Sequence, residues 1–181
     1  MASVLASGAD LTTITTSTKQ FVERMTQAWT ASGGRALTAD EVDWMTTLFV
    51  RFMPAATAMS WIFMIVVDFW LAGRILRASG RLIRDWPVLA AIDLPPTMAL
   101  GLAASLALSF GSGLLALIAG GFVSAFITAY AILGLAVLHW ITYGKPGRPV
   151  ALTFAYIACF VLAPYGTMPI ALLGLLESVL R

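Results

Sequence analysis

A single acidic residue, Asp68, stands inside an otherwise apolar stretch of the sequence. The stretch from Pro54 to Gly73 predicts a membrane-spanning helix, and Asp68 then lies roughly 7 Å from its middle at about 1.5 Å per residue. An ionised carboxylate at that depth costs several kcal/mol unless it is paired, hydrated or protonated, so such residues often mark ion or substrate paths. Asp68 is therefore our candidate for a substrate or ion path. The alternative is structural: Asp68 makes a polar contact between helices, or reaches Arg74 or the cytoplasmic interface.

The composition places this carboxylate in a membrane protein. Of 181 residues, 60% are apolar and 11% are charged, whereas soluble domains are about 25% charged. No charged residue occurs between Leu94 and Gly144, or between Val150 and Leu176. Because runs of that length are solvated by lipid, the composition excludes a soluble monomer and makes the bilayer a partner. The basic residues lie in loops, so we expect no nucleic-acid partner.

The hydropathy pattern predicts an all-α fold, a polytopic membrane helix bundle of four or five membrane segments preceded by amphipathic helices. Residues 1–53 are predicted as a polar N-terminal segment with two amphipathic helices, and residues 54–181 as a transmembrane helical domain. The first amphipathic helix covers residues 11–31. The second begins at a capping box formed by Thr38 and Glu41, and Pro54 kinks or breaks it.

The remaining segments follow from turn residues. The second span is expected to open at Asp93, as an acidic cap with two prolines in the first turn, and to end near Phe110. A third helix is expected from about Leu114 to Ile141. It exceeds the bilayer thickness, so it must tilt, protrude or bend, the bend lying near Gly120-Gly121 or Gly134. Residues 151–180 are interrupted by two prolines. They form either one kinked span or a hairpin of two short helices, and we favour the hairpin.

Basic residues set the topology. The positive-inside rule places two basic segments in the cytoplasm, one at residues 74–84 and one at residues 145–148. The arginines of the first segment recur at intervals of 3, 4 and 3, which predicts one helical face that contacts anionic lipid or only signals topology. These arginines are Arg74, Arg77, Arg81 and Arg84.

Small residues recur at every fourth position of the second span: Gly101, Ser105, Ser109 and Gly113. Such a stripe lets helix backbones approach closely, and serine hydroxyls can bond across the contact. We predict helix packing here rather than a permeation path.

Other polar residues have simpler interpretations. His139 could titrate near neutrality and pair with a carboxylate, but its position beside Trp140 and near Tyr143 favours interfacial anchoring. Glu177 precedes Arg181 by four residues, as in a solvated ion pair at a helix end. Enzyme signatures are missing, and one histidine with one cysteine leaves no local metal cluster. We therefore expect no enzyme, no metal and no cofactor.

Several short segments occur in one order: Arg84-Asp-Trp-Pro87, Leu94-Pro-Pro96, Tyr130–His139, Lys145-Pro-Gly-Arg148 and Leu173–Glu177. Over roughly residues 40–181 the chain resembles the C-terminal half of the YybS-like family of predicted bacterial multi-pass membrane proteins, a domain of unknown function. That family is distantly similar to the substrate-binding membrane subunits of energy-coupling-factor transporters. The resemblance implies binding of a small solute and assigns no residue here. Its members are usually longer, so we expect a fragment or a short variant.

The sequence thus predicts a multi-pass protein of the bacterial cytoplasmic membrane that binds or transports a small solute. The competing hypothesis is a structural or assembly subunit that docks other membrane protein subunits through small-residue helix faces. A polar cavity facing Asp68 would favour the first, and Asp68 at a subunit contact would favour the second.

Overall fold

The structure, a computed structural model, describes residues 10–83, 93–162 and 165–180. Regular structure within these ranges is entirely helical, so the predicted all-α class is confirmed there. The helices are α1 (Leu11–Ala31), α2 (Ala39–Ala78), α3 (Thr97–Ser109), α4 (Gly113–Ile141), α5 (Arg148–Val161) and α6 (Thr167–Leu180).

Helices α1 and α2 each begin at a side-chain cap. Asp10 caps α1 by accepting a hydrogen bond from the Thr12 amide. The capping box of α2 is confirmed: the Glu41 amide donates to the Thr38 hydroxyl at 3.3 Å, and the Thr38 amide donates to the Glu41 carboxylate at 2.8 Å. Each cap satisfies amides that the first helical turn leaves without partners.

Helix α2 continues through Pro54, where the sequence suggested a kink or a break. The second amphipathic helix and the first predicted span are therefore one helix of 40 residues. At about 1.5 Å per residue it is ~60 Å long, about twice the hydrocarbon thickness of a bilayer. Its polar start and its apolar second half consequently lie in different environments.

The later helices agree in part with the prediction. Helix α4 begins one residue before the predicted start and ends at the predicted Ile141. Helix α3 begins only at Thr97, and Pro96 occupies its N-cap position without a side-chain cap. The prediction that Asp93 caps this helix was wrong, because the two prolines precede the first turn instead of lying within it.

The last stretch is two helices rather than one kinked helix, since α5 ends at Val161 and α6 begins at Thr167. Pro164 lies outside the described residues. Within the described residues, α2 and α4 are long and apolar enough to cross a membrane. Helices α3, α5 and α6 have 13 or 14 residues each, fewer than the ~20 that a perpendicular span needs.

Helix α4 lies at the centre of the bundle, where α2, α3 and α6 pack against it. Its buried residues are Ala119, Gly121, Tyr130, Ala131, Leu133, Gly134 and Ala136. Tyr130 and Ala131 form a core cluster with Ala171 of α6. The preponderance of small residues on α4 explains its position, because small side chains let several helices approach one backbone.

Candidate functional site

The second half of α2 is exposed, and Asp68 lies in it. We call residues 64–78 the α2 arm; apart from the half-buried Gly73, every residue of the arm is exposed. Its large apolar side chains are Met64, Ile65, Val66, Val67, Phe69, Trp70, Leu71, Ile75 and Leu76. Phe69 next to Asp68 is 77% exposed. An exposed apolar surface of this extent needs a lipid or protein cover.

Asp68 has no hydrogen bond or ion pair among the described residues. The helix neighbours one turn away, Ile65, Leu71 and Ala72 among them, carry no charge. Arg74 is six residues on, so it points about 120° away around the helix. The Arg74 guanidinium instead lies over the Trp70 ring, at 5.9 Å from its centroid. The hypothesis that Asp68 reaches Arg74 is therefore wrong.

The predicted arginine face is also only partly helical. Arg74 and Arg77 lie on α2, but the helix ends at Ala78. Gly80 has a φ of +67°, a conformation that glycine adopts readily, and Arg81 follows it outside any helix. The prediction of one face for all these arginines was wrong because the helix ends too early. Arg84 lies outside the described residues.

Only some residues of the predicted small-residue stripe take part in helix packing, and the others lie at or near the α3–α4 turn. A Cβ added at Gly101 would lie 2.8 Å from the Phe126 ring of α4, and Ser105 is buried. The Ser105 hydroxyl donates within its own helix, to the Leu102 carbonyl at 3.0 Å. Ser109 is half-buried, and Gly113 begins α4 with a φ of +76°. The first half of the stripe thus contacts α4, and the second half leads into the α3–α4 turn.

His139 joins α4 to α5. Its Nδ1 lies 2.8 Å from the Leu135 carbonyl, and its ring meets the Tyr156 ring edge-on at 6.0 Å between centroids. Asp68 is not among its partners. Glu177 lies on α6, and its predicted partner Arg181 lies outside the described residues.

Two glycines form a close contact between α4 and α6, which the sequence did not predict. A Cβ on Gly134 would lie 1.9 Å from the Ile170 carbonyl oxygen, and a Cβ on Gly174 would lie 2.0 Å from the Tyr130 carbonyl oxygen. The pairing of residue 134 with 170 and of 130 with 174 makes α4 and α6 antiparallel. A glycine at every fourth position would have signalled such a contact, but each helix supplies only one glycine to it.

The bundle core contains one unusual polar atom. The Tyr130 side chain is 1% exposed, and its hydroxyl has no hydrogen-bond partner among the described residues. A buried hydroxyl without a partner loses its hydration without replacement. Apolar residues surround the cluster around Tyr130, including Met98 and Leu102.

The cavities in the described part of the chain lie elsewhere. One apolar groove of about 860 Å³ runs between α4, α5 and α6, and two further cavities lie beside α1 and the first half of α2. None of these is lined by Asp68. Within the described ranges, no three His, Cys, Asp or Glu side chains come together as a metal-ligand set.

These features define a helical membrane protein with a small-residue core and an exposed apolar arm. The chain matches a family of predicted membrane proteins, DUF2232, over residues 1–178, and it belongs to that family. No curated protein and no solved structure matches it.

Proposed function

We propose that this protein is a docking or assembly subunit that binds another membrane protein on its α2 arm. The observation that carries the proposal is the Asp68 carboxylate, exposed on an apolar helix and without a partner within the described residues. In lipid such a carboxylate is costly, and a partner side chain that pairs with it removes the cost.

The partner that fits is a transmembrane helix with a lysine or arginine at the depth of Asp68. A cation there neutralises the carboxylate and donates charge-assisted hydrogen bonds. A second copy of this chain, joined arm to arm, would instead bring two carboxylates together, which is unfavourable when both are ionised. Ile65 and Leu71 lie one turn before and one turn after Asp68 on the same side of the helix, and both are exposed. They provide area for van der Waals contact with the partner helix.

The solute-binding hypothesis has less support. Asp68 lines none of the cavities described above, and the centre of the bundle is filled by Tyr130, Ala131 and Ala171.

The narrower likeness to YybS-like proteins and to energy-coupling-factor subunits stays a prediction. We further propose a multi-pass location in the bacterial cytoplasmic membrane, with α3, α5 and α6 completing four or five membrane segments.

The test is quantitative copurification from native membranes in mild detergent, with Asp68→Leu compared with Phe69→Leu. Phe69 is the adjacent residue and is also exposed, so its variant controls for a change of surface shape. We expect Asp68→Leu to lower the recovery of the partner about tenfold or more, as loss of a buried ion pair does. Phe69→Leu should leave recovery within twofold.

Recovery alone does not identify the contact, so cross-linking from the α2 arm should map to a basic residue within a partner's span. Exchanging the charges, with Asp68→Lys here and an acidic residue in the partner, should restore the complex. Equal recovery for Asp68→Leu and the wild type would overturn the proposal, and so would cross-links that join only two copies of this chain.

A further inference from the structure

A cavity of about 480 Å³ with a partly polar lining lies beside the first half of α2, between α1, α2 and the α3–α4 turn. Among the described residues that line it, Arg51 alone is charged. Hydroxyl-bearing residues share the lining, with Thr15 on α1, Thr47 on α2 and Ser112 before α4. The cavity is separate from the α2 arm, and Asp68 does not line it.

The Arg51 guanidinium has no hydrogen bond or ion pair within the described part of the chain. Three acidic residues at the starts of α1 and α2 have other partners. Lys19 lies 2.6 Å from the Asp43 carboxylate, and Arg35 pairs with Glu41. Asp10 is engaged by Thr12 at the start of α1. Arg51 thus lines the cavity, and its five N–H donors have no carboxylate partner among the described residues.

An apolar cavity of about 390 Å³ adjoins the cavity that Arg51 lines. Val50 and Leu117 line both cavities. The apolar cavity extends along α2 from Met53 to Trp61, and Ile118 closes it on the side of α4. From Arg51 to Trp61 the helix rises ~15 Å, about half of the hydrocarbon thickness of a bilayer. The cavity that contains Arg51 thus continues into an apolar cavity whose length is about that of one bilayer leaflet.

We propose that the two cavities together form a binding site for one membrane phospholipid. Its phosphate contacts the Arg51 guanidinium, and one acyl chain lies against Pro54, Ala58 and Trp61. Arginine suits phosphate because its planar fork donates two parallel hydrogen bonds. The apolar cavity selects a lipid over free phosphate, since only a lipid fills both parts. This site would lie in the leaflet opposite to the one predicted for the arginines that follow α2.

The test measures binding to the purified full-length protein in detergent, by native mass spectrometry and by the shift of the unfolding temperature. The probes are phosphatidylglycerol, a diacylglycerol with the same chains, and inorganic phosphate. Arg51→Gln is compared with Arg24→Gln, which makes the same charge change on an exposed face of α1 that lines neither cavity.

We expect phosphatidylglycerol to bind the wild type and Arg24→Gln alike, and Arg51→Gln about tenfold more weakly, as befits the loss of a charge-assisted contact. Diacylglycerol and inorganic phosphate should each bind at least tenfold more weakly than phosphatidylglycerol. Equal binding by the two variants would overturn the proposal. Diacylglycerol binding as tightly as phosphatidylglycerol would also overturn it, because the phosphate would then contribute nothing. Inorganic phosphate binding as tightly as phosphatidylglycerol would overturn it as well, because the site would then be an anion site and not a lipid site.

Discussion

The Ser178 hydroxyl of α6 donates a hydrogen bond of 2.9 Å to the backbone carbonyl of Leu94, 84 residues earlier in the chain. Ser178 is 4% exposed, so this bond ties the last helix to the segment that precedes α3. Ser178→Ala leaves the Leu94 carbonyl without this donor, and we expect it to lower the free energy of unfolding by about 1–2 kcal/mol. Denaturant unfolding in detergent measures this change. The matched control is Ser109→Ala, whose exposed hydroxyl bonds only within α3; equal effects of the two variants would contradict the prediction.

The contact between α4 and α6 depends on glycine. Gly134→Ala would place a methyl group against the Ile170 backbone, which cannot move aside as a flexible side chain can. We expect a loss of about 1–3 kcal/mol, typical of overpacking in a close-packed interior. Gly120→Ala on the same helix meets open space and should be neutral or slightly stabilising, because alanine favours helix. Thermal unfolding of the two variants checks this, and a neutral Gly134→Ala would show that the helices do not approach so closely.

Because the Tyr130 hydroxyl is buried without a partner among the described residues, we expect that removing it will not lower the stability of the protein. Tyr130→Phe removes a polar atom that has no partner within the described residues and keeps the ring that fills the core. We expect unchanged stability or a gain of about 1 kcal/mol. Tyr156→Phe, at an exposed ring, should change stability by less than about 0.5 kcal/mol. A clear loss in Tyr130→Phe would mean that the hydroxyl has a bonded partner in the membrane.

The polar start of α2 predicts a pH effect. The Arg35 side chain, followed by the Thr38 amide, lowers the pKa of Glu41 to about 2, and Glu41 lies well before the predicted span. A lowered pKa means that the ionised form is favoured in the folded state, so this contribution to stability is present above about pH 4.5 and is lost as the pH falls towards 2. The unfolding temperature of Glu41→Gln should therefore fall less over that range than that of the wild type. Parallel curves for the two proteins would contradict the assignment.

The sequence could predict those elements whose signals are local. The capping box at Thr38 and the end of α4 at Ile141 follow from caps and hydropathy, and both are confirmed. Pro54 shows where local signals fail: a proline costs a helix about 3 kcal/mol, yet α2 continues through it. Tertiary contacts with α1 and α4, which both pack against α2, are not visible in a local pattern. The Gly134–Gly174 contact could not be read from one helix, because each glycine acquires its role only from the helix that faces it.

Candidate sites were harder to predict, because a residue's role depends on what covers it. Asp68 stands out in the sequence as a charge within a span, but the sequence does not say whether it faces a cavity, a neighbouring helix or the membrane. In the structure it is exposed on the α2 arm. Arg51 could not be identified as a candidate from the sequence, where it is one basic residue beside a predicted span. It becomes a candidate because it lines the cavity between α1, α2 and the α3–α4 turn.

The central place of α4 has a consequence for biosynthesis. Helices α1 and α2 leave the ribosome before α4, and the residues of α4 that α2 contacts are translated only after residue 113. The Ser124 hydroxyl, which donates to the Ala55 carbonyl at 2.8 Å, emerges 69 residues after its acceptor. During that interval α2 lies in the bilayer without α4, against which it packs in the folded protein. A nascent chain arrested before residue 113 should thus be a substrate for membrane proteases, while one arrested after residue 141 should resist them.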